Sequence, residues 1–259
     1  MKVCTTYRET FYHVLNAVFT AYGKQPVVAE LGVLRGENAM KLYQALTPEK
    51  MVLIDSWSPA SNDDYSPFDQ LPPWVEPPEK YAYYYGGPMH EQATFDNLYQ
   101  QCLDRFADKD NVTVIRADTI SAIDAIQPRT GIETFDVVYI DASHQYEFIL
   151  RDLMYYQELV GPDGFILLND CCHSPNGTKQ NLGVLEALSS FMKRSDFIPL
   201  AMTNTDWSDV ILVRKNSIMV QLVDIALTNS DIPFVEIPHQ LISAAKVVYG
   251  QQRINISFA

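Results

Sequence analysis

Apolar residues recur along the chain in short, β-rich runs: "PVVAELGV", "KMVLIDSW", "NVTVIRAD", "FDVVYIDA", "GFILLNDC", "DFIPLAMT" and "DVILVRK". Between the earlier runs the apolar spacing changes to the helical period, at "ENAMKLYQALT", "HEQATFDNLYQQCLDRFA" and "QYEFILRDLMYYQELV". Strands that alternate with helices pair in parallel, because each helix must return the chain to the same end of the sheet. The last two runs are joined only by "NTDWS", too short for a helix, which predicts an antiparallel hairpin at one edge. The pattern as a whole predicts an α/β fold: a Rossmann-like, doubly wound seven-stranded sheet, mostly parallel with an antiparallel last strand. The opening "MKVCTTYRETFYHVLNAVFTAYG" carries apolar groups at helical spacing.

Two segments fall outside the alternation. Residues 58–88, "SPASNDDYSPFDQLPPWVEPPEKYAYYYGGP" followed by Met89, are crowded with proline, tyrosine and tryptophan where a crossover needs only a few residues. This insertion follows a strand end and reads either as a lid or as a surface excursion. Residues 216–259 hold helical patterns at "IMVQLVDIALTN" and "PHQLISAAKVVYG", apolar enough to pack on the main domain or on a second copy of the chain in a homodimer or larger homo-oligomer. The expected organisation is one domain over 1–215 with the insertion at 58–88, then a C-terminal extension over 216–259.

Composition narrows the partners. Of 259 residues, 47% are hydrophobic and 20% charged, ordinary for a globular chain able to bury a full core. The formal net charge of -13 opposes phosphate backbones and anionic lipid, which need a positive surface, and favours a small-molecule partner over nucleic acid or membrane. No apolar run reaches the roughly 18 residues of a membrane span, and the N-terminus lacks a signal-peptide core, so the expected location is cytoplasmic. Cys4, Cys102, Cys171 and Cys172 make neither a disulfide framework nor a CxxC metal pattern.

The candidate chemistry lies where the apolar runs end. Glu30 closes the first, Gly32 and Gly36 follow, and a helix is expected from about Glu37. Glycines there let backbone approach a ligand closely. The spacing matches neither the dinucleotide GxGxxG, since Leu34 occupies the middle glycine position, nor a P-loop. It reads as a ligand loop or as a tight strand-to-helix turn. Asp55, Asp118, Asp141, and the pair Asn169 and Asp170 end the next four runs. Each could cap the helix that follows. Together they line up at the carboxyl ends of parallel strands, where open α/β sheets bind ligands.

On these residues the sequence resembles the class I S-adenosylmethionine-dependent methyltransferases, from about Val27 to Lys215. The resemblance implies that the loop from Glu30 to Gly36 cradles the methionine part of the cofactor, that Asp55 accepts its ribose hydroxyls, and that Asp118 and Thr119 lie near the adenine. Trp57 would flank the purine or pack beneath the insertion. "YIDASHQY" followed by "LLNDCCH" is similar, more narrowly, to the macrocin O-methyltransferase and cephalosporin-hydroxylase-like group. There the Asp-x-x-His and the later acidic pair imply Mg²⁺ on Asp141, Asn169 and Asp170, with His144 as general base. Asn169 departs from that pattern, placing a neutral oxygen where the group has a carboxylate.

The chemistry agrees with the grouping. A hydroxyl is a poor nucleophile until its proton is removed. Mg²⁺ takes hard oxygen ligands and leaves positions open for an acceptor, and a histidine of ordinary pKa near 6.5 takes a proton near neutrality. The expected function is O-methylation of a hydroxyl on a sugar, polyketide or phenol. Metal-independent methylation of nitrogen or oxygen, or a non-catalytic cofactor-binding protein of the same fold, are the alternatives. His144 could instead cap its helix, His173 contact substrate or metal, and His90 line the acceptor pocket, while Asp152 is expected on the exposed face of its helix. His13 and His239 have no constellation around them.

Overall fold

The computed structural model describes residues 1–62 and 72–259; the part of the insertion at 63–71 lies outside them. In chain order the elements are β1 (Lys2–Cys4), α1 (Arg8–Tyr22), β2 (Val27–Leu31), α2 (Glu37–Leu46), β3 (Lys50–Asp55), α3 (Ala82–Tyr85), α4 (Gln92–Arg105), β4 (Val112–Arg116), α5 (Thr119–Thr130), β5 (Phe135–Ile140), α6 (Tyr146–Tyr156), β6 (Val160–Leu168), α7 (Pro175–Lys179), α8 (Val184–Phe191), β7 (Phe197–Thr203), β8 (Val210–Arg214), α9 (Met219–Thr228), β9 (Phe234–Glu236), β10 (Lys246–Tyr249) and β11 (Ile254–Ser257).

Nine strands form one sheet in the order β4-β3-β2-β5-β6-β8-β7-β1-β9. The five from β4 to β6 are parallel to one another, as the alternation predicts. Two expectations are corrected. The sheet has nine strands rather than seven, because the short segments Lys2–Cys4 and Phe234–Glu236 add to its β7 side. Three-residue strands are too brief to show a period of two. The hairpin of β7 and β8 is antiparallel, but it does not lie at an edge: β8 inserts between β6 and β7 and runs against both. All but the last residue of β8 are buried, which suits an interior position. β10 and β11 pair separately as a small antiparallel sheet.

Alternate residues of the central strands face two different cores. Ala29, Leu31, Val52, Ile54, Val138 and Ile140 pack under α5, α6 and α8. Val28, Met51, Leu53, Val137, Tyr139 and Phe165 pack under α1, α2, α4 and α9. Every residue of β5 is buried, at about 1.5–3 kcal/mol for each large apolar side chain removed from water. The helix pattern of the tail forms α9, which packs on α1, β7 and β8. The second pattern, however, is a 3-10 turn at His239–Ala244 followed by β10. At the sheet edge, Lys2 is buried and ion-paired to Asp224 and Glu236. Among the described residues no helix is long and apolar enough to cross a membrane. The four cysteines are free and buried.

Asp152 is a further correction, since it lies on the buried face of α6 rather than the exposed one. The Thr119 hydroxyl donates to its Oδ1 at 2.6 Å, and Arg151 Nη2 stands 3.6 Å from the same oxygen. Burial pushes its carboxyl up to about 6, and Thr119 and Arg151 only partly oppose this. A carboxyl raised from about 4 stabilises the fold below pH 4, relative to its ionised form, and that contribution is lost as pH rises through 6. Asp152→Asn keeps an acceptor for Thr119 and removes the titration. Its stability advantage over wild type should therefore be wider at pH 8 than at pH 5 by ~1.4 kcal/mol, measured by urea unfolding.

Candidate active site

The carboxyl ends of the parallel strands are drawn together by backbone bonds between neighbours. Gly32 N–H donates to the Ile54 carbonyl at 2.9 Å, Asp141 N–H to Leu31 at 2.8 Å, and Asn169 N–H to Ile140 at 3.1 Å. Gly32 has φ +81°, and a Cβ there would lie 2.0 Å from the Asp141 carbonyl oxygen. Glycine is therefore required twice, for the left-handed backbone and for the contact. Gly36, at φ +78°, precedes α2 and faces Phe106.

Glu30 is buried with Oε1 accepting from Asn38 Nδ2 at 2.9 Å, while Oε2 is buried without a partner among the described residues. Burial raises its pKa well above the ordinary range. A buried carboxylate oxygen with no donor is a place for a cation or a hydrogen-bond donor from outside the chain. Asp55 organises the loops beside it. Its Oδ2 accepts Val33 N–H and Leu34 N–H at 2.8 and 2.9 Å, and its Oδ1 accepts Trp57 N–H at 2.9 Å. Trp57 is buried against Tyr99 at 4.8 Å between ring centroids, and its indole N–H donates to the Leu34 carbonyl at 2.7 Å. Asp118 is the N-cap of α5, accepting from Ile120 and Ser121, both at 3.1 Å. Thr119 is buried, engaged with Asp152 and Arg151.

The opposite wall brings four predicted residues together. His144 Nε2 lies 3.0 Å from Asn169 Oδ1, 3.3 Å from Asp141 Oδ1 and 3.7 Å from Asp170 Oδ2. Three oxygens thus converge on one imidazole nitrogen. Asp170 sits at φ 53°, a left-handed conformation that turns the chain sharply after β6. Burial alone pulls the His144 pKa down, but the bond to Asp141 and the charges of Asp170 and Asp141 outweigh it and raise it to about 9. In this arrangement His144 is an imidazolium at neutral pH. Among the described residues no group of three His, Cys, Asp or Glu side chains has the geometry of a metal site. The oxygens of Asp141, Asn169 and Asp170 meet instead at His144 Nε2.

Arg8, Tyr139 and Asp209 complete this wall and escaped the sequence reading. Tyr139 donates to Asp209 Oδ1 at 2.7 Å, Arg8 Nη1 donates to the Tyr139 hydroxyl at 3.0 Å, and Asn169 Nδ2 donates to Asp209 Oδ1 at 3.1 Å. Arg8 stands 3.6 Å from Asp141 and 3.5 Å from Asp209. A signal for Asp209 was present, because an antiparallel strand begins where its parallel neighbours end. The residue before β8 therefore belongs to the same crevice. His173 and His90 lie elsewhere: His173 is half exposed beside Glu186 at 3.6 Å, and His90 is exposed beside Glu91.

A family model described as a methyltransferase domain matches residues 29–171, more than half of the chain. The chain belongs to this methyltransferase family. The matched span of the methyltransferase runs from β2 to the turn after β6, which contains Glu30, Asp55, Asp141, His144, Asn169 and Asp170. Solved structures share its fold. The O-methyltransferase TomG from Streptomyces achromogenes, involved in tomaymycin synthesis and solved with SAM, is 15% identical over 80% of this chain and 81% of its own, with a TM-score of 0.51. A cofactor-bound protein from MTB is 15% identical over 82% of this chain and 83% of its own, with a TM-score of 0.50. An O-methyltransferase from Bacillus cereus in complex with SAH is 14% identical over 80% and 82%, with a TM-score of 0.49. No curated protein matches the sequence.

The contact at Gly32 gives the first test of this site. Gly32→Ala forces a methyl group onto the Asp141 carbonyl at a left-handed position, and should destabilise the methyltransferase by ~3 kcal/mol or more. Chemical denaturation followed by circular dichroism measures this, and a loss below ~1 kcal/mol would contradict the close approach.

Proposed function

We propose that this methyltransferase transfers a methyl group from S-adenosylmethionine to a hydroxyl of a small molecule such as a sugar, polyketide or phenol, with Mg²⁺ and with His144 as the base. The observation that carries the reading is the convergence of Asp141 Oδ1, Asn169 Oδ1 and Asp170 Oδ2 on His144 Nε2. The Asp141 backbone carbonyl also packs on Gly32, in the loop that follows Glu30. The cofactor carries an ammonium group and a sulfonium, and the buried, donor-hungry Oε2 of Glu30 fits such a cation. The shared fold with TomG, an O-methyltransferase, supports the same direction. The Asp-x-x-His from Asp141 to His144 favours the macrocin-type group within it.

The donor set fits a hard cation, two carboxylates and an amide oxygen being the ligand chemistry that Mg²⁺ accepts. Held by Asp141, Asn169 and Asp170, Mg²⁺ would supply the charge that makes an acceptor hydroxyl acidic. Were those carboxylates engaged by a cation, His144 would lose the partners that keep its proton, and its Nε2 would be the group to take one from the acceptor. The loop from Glu30 to Gly36 and the Asp55 carboxylate place the donor end of the crevice, while Tyr85, packed on Phe95, comes from the insertion above it. That insertion also reaches the far wall, where Glu76 N–H donates to the Lys179 carbonyl at 2.8 Å. Closure by such a segment would keep water from the reacting oxygen. The net charge of -13 supports a neutral or cationic acceptor rather than nucleic acid.

A metal-independent transfer has one observation in its favour: the His144 Nε2 already stands at the point on which the three oxygens converge. Calorimetric titration with S-adenosylmethionine, with Mg²⁺ and then with a chelator present, separates the two. The expected result is micromolar cofactor binding, lost in Asp55→Ala, and a Mg²⁺ heat lost in Asp141→Ala and Asp170→Ala. His144→Ala should bind cofactor near normally and lose turnover by at least ~100-fold. Full activity of His144→Ala on an identified acceptor would remove the base assignment, and activity that survives chelation would remove the metal.

A further inference from the structure

Asn169 stands where the resembling group has a carboxylate, and its amide faces two ways. Its Oδ1 lies 3.0 Å from His144 Nε2, while its Nδ2 donates to Asp209 Oδ1 at 3.1 Å. Asn169 and Asp209 are buried, at 2% and 3% exposure, so the amide nitrogen meets the carboxylate away from water. Asp209 is itself held in place. Its Oδ1 also accepts the Tyr139 hydroxyl at 2.7 Å, its Oδ2 faces Arg8 Nε at 3.5 Å, and its backbone N–H donates to Thr203 Oγ1 at 2.9 Å.

An ionised carboxylate only accepts, so an amide beside it has one orientation: nitrogen towards the carboxylate, oxygen away. Reversal would set the Asn169 oxygen against Asp209 and its NH2 against the His144 N–H, leaving two buried mismatches. An aspartate at 169 would set two carboxylates about 3 Å apart, which do not both ionise readily. We propose that Asp209 is a positioning residue that holds the Asn169 oxygen towards His144. This rests on the reading of Asp141, His144, Asn169 and Asp170 as the methyl-transfer centre.

The test exchanges the two groups and needs neither metal nor cofactor. Asp209→Asn keeps one acceptor oxygen but removes the acceptor-only carboxylate that fixes which way the Asn169 amide faces, Asn169→Asp sets two carboxylates face to face, and the double variant N169D/D209N restores one amide against one carboxylate. At pH 8 each single variant should lower the melting temperature by ~5 °C, and the double should lose less than either single. Nuclear magnetic resonance of the His144 ring supplies a readout that packing alone would not move. The hydrogen-bonded Nε2–H signal should be present in wild type, lost in Asp209→Asn and regained in the exchange. Additive losses of melting temperature in the double variant would overturn the proposal. So would an unchanged His144 signal in Asp209→Asn, which would leave Asp209 a merely structural residue. S-adenosylmethionine titration of the wild type judges the methyltransferase reading separately, because the exchange is read without it.

Discussion

The site depends on the contact between two strand ends. β2 and β5 are adjacent and parallel, and their loops leave the sheet so close together that the α-carbon at position 32 rests on the Asp141 carbonyl. No side chain fits there. Because that contact is rigid, the turn from Gly32 to Gly36 cannot shift without moving Asp141, and the Asp55 carboxylate ties the same turn to β3 through Val33 and Leu34. Three strands of the sheet thereby act on one loop, and the crevice they frame has a shape set by backbone rather than by adjustable side chains.

Electrostatics follows from that frame. Crowding places Glu30, Asp55, Asp141, Asp170 and Asp209 along one crevice, and burial raises the pKa of Glu30, Asp55, Asp170 and Asp209. Arg8 and His144 are the cations that answer them. Glu30 keeps one buried carboxyl oxygen that no described residue reaches. The acidity of the chain is therefore partly local, concentrated where it acts.

Much of this was legible in the sequence because the parallel strands are long enough to show their burial. Each ends in a polar residue that the fold necessarily places at one edge. Asp141, His144, Asn169 and Asp170 could be grouped for that reason. What escaped has physical causes. β1 and β9 have three residues each, shorter than any period. The position of β8 inside the sheet depends on pairing between distant segments, which no local pattern records. Arg8 and Asp209 reach the site only through those two unpredicted placements. Asp152 was misjudged because a carboxylate on a helix normally faces water, and its burial is compensated by Thr119 and Arg151, which lie outside the apolar pattern. Asp118 and Trp57 show the converse. They lie near the crevice, but their polar atoms are engaged within the chain, in a helix cap and in a bond to Leu34.

The insertion of β8 between β6 and β7 bears on how the molecule comes into being. Arg8 follows the first strand of the chain and Asp209 precedes the last strand to enter the interior of the sheet, yet they meet beside Asp141. A ribosome releases the parallel half long before Asp209 emerges, so a nascent chain can build the Gly32 turn without the wall that orients Asn169. Pairing across such a separation is slow, because the ends must find each other before the contact repays its entropy. The wall where Arg8 meets Asp209 is consequently among the last parts of the protein to assemble.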